Sequence, residues 1–473
     1  MKTYYILKPK KLNLEYLVNK YKPNFNFDFD RAYLIVHLVM LLGHEKDNLS
    51  KVGLDSRFLE RLIGRNYHQY IDFLLENNSG TGNILNGYRY EVGKNPFEYR
   101  LTDYYFNGGF ELYTITDYKL INKYKQKFVN TSNNEAIRLN YYFLTKYFNN
   151  GKLAVSSPSD AIEEANSLVK KKRLRNAKNI VNIMNGEHTI TLKTKTDGRV
   201  HSNITRLSKK SRKYLQYQGE FLAEVDISSA VPFFLYITMG YYLNKILSKL
   251  TDYQYSNSII YIFDKITGDL DKTELQEFGH AVKSGKLYEQ FSNLILDQSF
   301  YESEGKDYNK VLKYYQYKFN KQFNHYFDGD LKELKKFAKK GLLSMLFAKS
   351  SSYKFEQLVF KELYPTIHKF INEFKDAQSE ELNWNLDNRH KKLSYLCFQF
   401  EAKVMIDKIA REYDKLHKGK IPVFTLHDCI LTTSSNVVEL KEFMKSQFKE
   451  LLGESPNLTI EYSELDTKNK IAS

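Results

Sequence analysis

Two aspartates far apart along the chain each close a run of β-forming residues. Phe221–Val225 is one such run, and Asp226 ends it at the head of Asp226-Ile227-Ser228-Ser229-Ala230-Val231-Pro232. Much later, Ile421–Leu426 and Cys429–Thr433 read as two strands joined through His427-Asp428, a hairpin with the acid at its turn. Carboxylates at strand ends are hard oxygen donors on a rigid base. A pair of them suits two Mg2+ ions about 3.5–4 Å apart, with Mn2+ as a substitute, the remaining ligands coming from water and substrate phosphates. Such a centre activates an attacking oxygen and stabilises a leaving phosphate. Taken singly, Asp226 also fits a helix N-cap and Asp428 a turn residue. Their matched settings favour the metal chemistry.

Between the aspartates, Lys332–Ala348 has helical period and no proline. Lys335, Lys339, Leu343 and Phe347 are spaced by four and therefore share one helix face. That face carries two ammonium groups and an aromatic platform. A triphosphate needs cationic neutralisation and an incoming base needs an apolar surface, so the combination suits a nucleotide-binding helix. Viewed alone, an amphipathic helix with a basic side accounts for it equally well.

The rest of the chain must position these groups. At 473 residues, 42% hydrophobic and 27% charged, it can bury sizeable cores and should form two or three domains rather than remain disordered. Lys and Arg number 71 against 56 Asp and Glu, a net +15, which points to a polyanionic partner and first of all to nucleic acid. No stretch approaches the roughly 20 apolar residues of a membrane span, and Met1–Lys11 lacks a signal-peptide core, so no membrane association and a cytoplasmic location are expected. Cys397 and Cys429 are too few for a disulfide framework or a cysteine zinc site.

Three stretches follow. In residues 1–110, apolar patches at Ala32–Leu42, at Leu59, Leu62 and Ile63, and at Tyr70–Leu75 predict three short helices; Ile84–Tyr90 and Glu98–Leu101 then predict two strands around Gly93-Lys94-Asn95-Pro96. This pattern resembles a winged helix, which implies duplex binding through the second or third helix with the wing on phosphates. A small helical domain that merely packs on the rest is the alternative. Residues 111–190 read as helical, with Lys170-Lys171-Lys172-Arg173-Leu174-Arg175 and Lys178 crowded near the end. They form either a solvated helix face or a thumb-like element along a phosphate backbone. Residues 191–473 hold the chemistry.

In order, the segments of this third stretch resemble the polymerase module of family A DNA polymerases, whose palm is shared with single-subunit RNA polymerases. The first palm motif of the family, DYSQIELR, is similar to Asp226-Ile227-Ser228-Ser229-Ala230-Val231-Pro232-Phe233. The fingers motif, arginine, then lysine four residues on, then Tyr-Gly eight further, is similar to Lys335, Lys339 and Phe347-Ala348 at the same spacing. His427-Asp428-Cys429 stands where the family has His-Asp-Glu. Gly198-Arg199-Val200-His201-Ser202, then Arg206-Leu207-Ser208 and Arg212, resemble the region before the first motif, and Phe398-Gln399 resembles the helix whose glutamine contacts the primer-template minor groove.

The resemblance, over residues 197–473, implies an α+β, mainly helical fold: a right-hand polymerase palm built on a small antiparallel sheet, with helical fingers and thumb, beside the winged-helix-like domain. It further implies that Asp226 and Asp428 bind the metal ions and that Lys339 serves catalysis. Lys335, Lys339, Leu343, Phe347, Val231 and Ser228 would bind nucleotide, while Arg199, His201, Arg206, Arg212, Gln399 and His427 would hold DNA primer-template or RNA. Departures bear on specificity: Val231 replaces the glutamate that excludes ribose, and Leu343 replaces an aromatic. Residues 240–330 exceed what compact members carry and read as an insertion. The first stretch offers no Asp-x-Glu exonuclease set, so proofreading is not expected. The implied activity is template-directed DNA synthesis; an RNA polymerase or primase, a template-independent terminal transferase, a metal-dependent nuclease, and a non-catalytic DNA-binding initiator or regulator are the alternatives.

Overall fold

The computed structural model describes residues 3–45, 51–76, 83–88, 96–128, 135–193, 196–240, 270–377 and 388–467. Helices predominate, and every paired strand among the described residues is antiparallel.

The largest sheet is built around the strand Glu220–Ile227. Its odd-numbered residues Ala223, Val225 and Ile227 are buried, while Glu224 and Asp226 on the opposite face are only half-buried, as the period-two geometry of a strand requires. One edge pairs with Cys429–Thr433, which pairs in turn with Phe424–Leu426; the other pairs with Leu458–Glu461 and Leu215–Tyr217. The outer strand, Leu153–Val155, comes from the second sequence stretch, so that stretch is built into the same sheet.

Behind the sheet, Ala230–Met239 is apolar almost all round and is accordingly buried almost throughout. Pro232 falls in its first turn, where the missing N–H costs nothing. Phe233 and Phe234 pack edge-on with Phe448 of Val437–Leu452 and Phe400 of Lys391–Ala402, closing a core beneath the two aspartates. The helix Lys391–Ala402 runs on without a cap into a π-helical stretch, Lys403–Ala410, and then Arg411–Leu416.

The helix Leu331–Phe347 starts at Asp330, whose carboxylate accepts from the backbone of Lys332 and Glu333. Its apolar face, including Phe337, Ala338, Leu342 and Leu346, is buried. The segment read as an insertion supplies its neighbours. Residues 241–269 lie outside the described residues, but Lys272–Lys283, Leu287–Ile295, Gln298–Ser303 and Tyr308–Phe323 are helices, and Leu287–Ile295 packs directly on Leu331–Phe347.

In the N-terminal part, helices Phe29–Glu45, Ser56–Ile63 and Tyr67–Glu76 precede strands Leu85–Tyr88 and Glu98–Leu101. A short strand not expected from the sequence, Val52–Gly53, joins them on the outer side of Glu98–Leu101. Residues 89–95, with Gly93 and Lys94, lie outside the described residues. Tyr4–Pro9 pairs with Phe110–Ile115 and brings the beginning of this part back to its end.

The basic helix, Lys170–Asn185, is a bridge. Asn185 bonds both the N–H and the carbonyl of Tyr5, Asn176 accepts from the Ser208 N–H, and Asn179 accepts from Asn203. Leu174, Ala177 and Ile180 are buried, whereas Lys172 and Arg175 face solvent. Among the described residues no helix is long and apolar enough to cross a membrane.

Candidate active site

Asp226 lies opposite Cys429 in the strand register, and the N–H of Ile227 donates to the carbonyl of Asp428 at 3.2 Å. The two aspartates therefore stand one residue pair apart on neighbouring strands. Asp428 sits in a two-residue turn between Leu426 and Cys429, and His427, the other turn residue, takes φ 54°. Just beyond Asp226, Ser229 takes φ 61°. Both are left-handed conformations that non-glycine residues adopt at a cost, and both lie within three residues of an aspartate, as backbone strain at functional sites does.

The electrostatics agree with the geometry. Burial first, then the charges of Asp428, Glu461 and Glu224, push the Asp226 carboxyl up to about 7, with Lys339 opposing them. Burial raises Asp428 as well, opposed by a backbone hydrogen bond, Arg199 and Lys339. The pair is thus short of positive charge. Two hard oxygen donors in that condition fit Mg2+. No group of three His, Cys, Asp or Glu side chains arranged to hold a metal ion occurs among the described residues.

Flanking acids complete the face. Glu224 precedes Asp226 by two residues and so points the same way. Arg212 grips it with Nε at 2.7 Å and Nη2 at 3.1 Å, both side chains being 13% exposed. Glu461 lies opposite Glu224 in register and pairs with Lys209 at 2.5 Å. Strand alternation was signal enough to find Glu224 in the sequence; nothing local marks Glu461.

Lys335, Lys339, Leu343 and Phe347 line one side of Leu331–Phe347, the two lysines exposed and the two apolar residues half-buried. Lys339 is within electrostatic reach of both aspartates and makes no ion pair of its own with the described residues. Its ammonium lies 5.4 Å from the ring centre of Tyr288, a residue the sequence reading missed because it belongs to the presumed insertion. Lys335 approaches Glu289 at 3.9 Å, an exposed pair of little energetic weight. Phe347 packs on Phe398 at 5.1 Å, and the Arg199 guanidinium covers Phe398 at 4.2 Å.

Of the residues expected to touch nucleic acid, Arg199 directs Nε and Nη2 to the fully buried Glu401 at 2.9 and 2.6 Å, and Arg212 is held by Glu224. Burial lifts Glu401 to about 7 despite Arg199. Gln399 donates to the Thr196 carbonyl at 2.9 Å. His201 meets Asp197 at 3.1 Å and lies 5.8 Å from the ring of His427, which burial and then Arg199 push down to about 4, leaving it neutral. Arg206 differs from the other two arginines. It is half-buried, feels Arg175 as a like charge, and has no acidic partner among the described residues. Ser228 ties its N–H to the Asn457 carbonyl, and Val231 packs half-buried against the core.

No protein-family model matches this chain, and no curated protein sequence does. Among solved structures, the POL domain of Pol1 from M. smegmatis, in complex with DNA primer-template and dNTP, aligns with 62% of this chain at 10% identity and a TM-score of 0.36. The alignment spans 52%, about half, of that chain's length.

Proposed function

We propose that this protein is a nucleotidyltransferase, a template-directed DNA polymerase of family A type without proofreading, which joins a nucleoside triphosphate to a primer 3′-hydroxyl with loss of pyrophosphate. One observation carries the reading: Asp226 and Asp428 end neighbouring antiparallel strands, with Lys339 in electrostatic reach of both. On this reading the sheet around Glu220–Ile227 is the palm and the helices around Leu331–Phe347 are the fingers. The three helices and three strands near the N-terminus are a winged-helix-like unit for duplex DNA, and the order Val52–Gly53, Glu98–Leu101, Leu85–Tyr88 supports that assignment.

Asp226 and Asp428 would hold Mg2+, which when bound lowers the pKa of an attacking hydroxyl and offsets charge on the leaving phosphate. Lys339 neutralises the triphosphate, with Lys335 in support further along the same face. Leu343 and Phe347 offer the incoming base an apolar surface, backed by Phe398. Ser228 and Val231 belong to the wall beside Asp226, and Arg206 presents a positive charge to the nucleic-acid backbone.

The test is extension of a primer-template by purified protein with Mg2+ and dNTPs. Asp226→Asn and Asp428→Asn should each abolish extension and leave DNA binding nearly intact; full extension by both variants would end the proposal. Val231, apolar where DNA-making members carry the ribose-excluding glutamate, favours a second reading as an RNA polymerase, primase or terminal transferase. Parallel lanes with rNTPs and without template separate these. Absence of any Mg2+-dependent incorporation would leave a DNA-binding initiator or regulator.

A further inference from the structure

If nucleotides are joined at this site, something must recognise their sugar, and Val231 has no polar group with which to do it. Tyr288 stands in the right place. It projects from Leu287–Ile295, the helix packed against Leu331–Phe347, and is 6% exposed. The Lys339 ammonium sits over its ring, and Asp428 is close enough to act on its hydroxyl electrostatically. That hydroxyl faces Ser229, two residues before Val231, and has no hydrogen-bond partner among the described residues. A buried hydroxyl left unpaired is costly, and a bound ligand that accepts from it removes that cost.

The geometry of a nucleotide supplies one. Lys339 neutralises the triphosphate, and the sugar is joined to the α-phosphate through a single methylene. A triphosphate held between Lys339 and the two aspartates therefore brings its sugar against the ring that lies beneath that lysine. From this juxtaposition of Tyr288, Lys339 and Ser229 we infer that Tyr288 is the sugar-selecting residue: its ring closes the space a ribose 2′-hydroxyl would need, and its hydroxyl donates to the bound deoxynucleotide. The inference rests on the nucleotidyltransferase reading and gives it a substrate class, 2′-deoxynucleoside triphosphates.

The experiment is primer extension by the full-length protein with dNTPs and rNTPs, comparing wild type with Tyr288→Phe, Tyr288→Leu and Tyr288→Ala. A wall that rejects one added hydroxyl supplies about a hundredfold preference in kcat/KM. The dNTP-to-rNTP ratio should stay near the wild-type value in Tyr288→Phe, fall in Tyr288→Leu, and drop on the order of a hundredfold in Tyr288→Ala. Tyr288→Phe should raise KM for dNTPs with kcat little changed, the mark of a lost contact to substrate. A ratio that is flat across the series overturns the inference and leaves the polymerase reading standing, and so does a wild type that uses both sugars equally. Should Tyr288→Ala fail to fold, the Leu and Phe variants still read the ratio. Wild-type protein that extends with neither nucleotide removes the polymerase reading and the inference together.

Discussion

Asp226→Asn should yield a protein that is inactive yet more stable above neutral pH. Burial and three neighbouring acids push the Asp226 carboxyl from its usual 3.8 to about 7. At about 1.4 kcal/mol per pKa unit, the three-unit rise corresponds to roughly 4 kcal/mol. Asp226 is only half-buried, and screening by solvent reduces this to about 2 kcal/mol. The sign follows from proton linkage. The folded protein binds this proton more tightly than the unfolded chain, so stability is greatest below the unfolded value, falls as pH rises, and has lost the full amount once pH passes the folded value. Asparagine has no such dependence. The variant's advantage should therefore be small near pH 3.8, the unfolded value, and reach about 2 kcal/mol at about pH 8 in urea unfolding with EDTA present. Adding Mg2+ should narrow the gap by stabilising the wild type alone. An offset of the same size at both pH values, or a variant less stable than wild type at the higher one, would refute the picture of a carboxylate pair short of positive charge.

Three further outcomes follow from the same geometry. Lys339→Ala should lower kcat for incorporation by about 10²–10³, the usual cost of one preorganised charge donor, with primer-template affinity unchanged in a fluorescence titration. Arg212→Ala leaves Glu224 unpaired beside Asp226 and should cost about 3 kcal/mol in denaturant unfolding. The double variant with Glu224→Ala should recover much of that loss, and a cycle without coupling would contradict the pairing. Arg206→Ala should reduce the slope of log K against log salt for duplex binding by about 0.9, since one phosphate contact disappears; an unchanged slope would remove Arg206 from the nucleic-acid surface.

What could be read from the chain alone was local. The strand ending at Asp226, the hairpin turned through His427-Asp428 and the helix that aligns Lys335, Lys339, Leu343 and Phe347 all follow from period and turn chemistry, which act over a few residues. So does the placement of Glu224 on the face of Asp226. Tertiary structure decided which strands pair and in what register: it laid Cys429 opposite Asp226, set Glu461 opposite Glu224, and drew Leu153–Val155 into the same sheet. It also committed Arg199 to Glu401 and Arg212 to Glu224, and brought Tyr288 under Lys339 from a segment that had looked like an insertion. These contacts join residues far apart in the chain, and their partners are chosen by burial and charge balance across the whole core, for which no short window of sequence carries a signal.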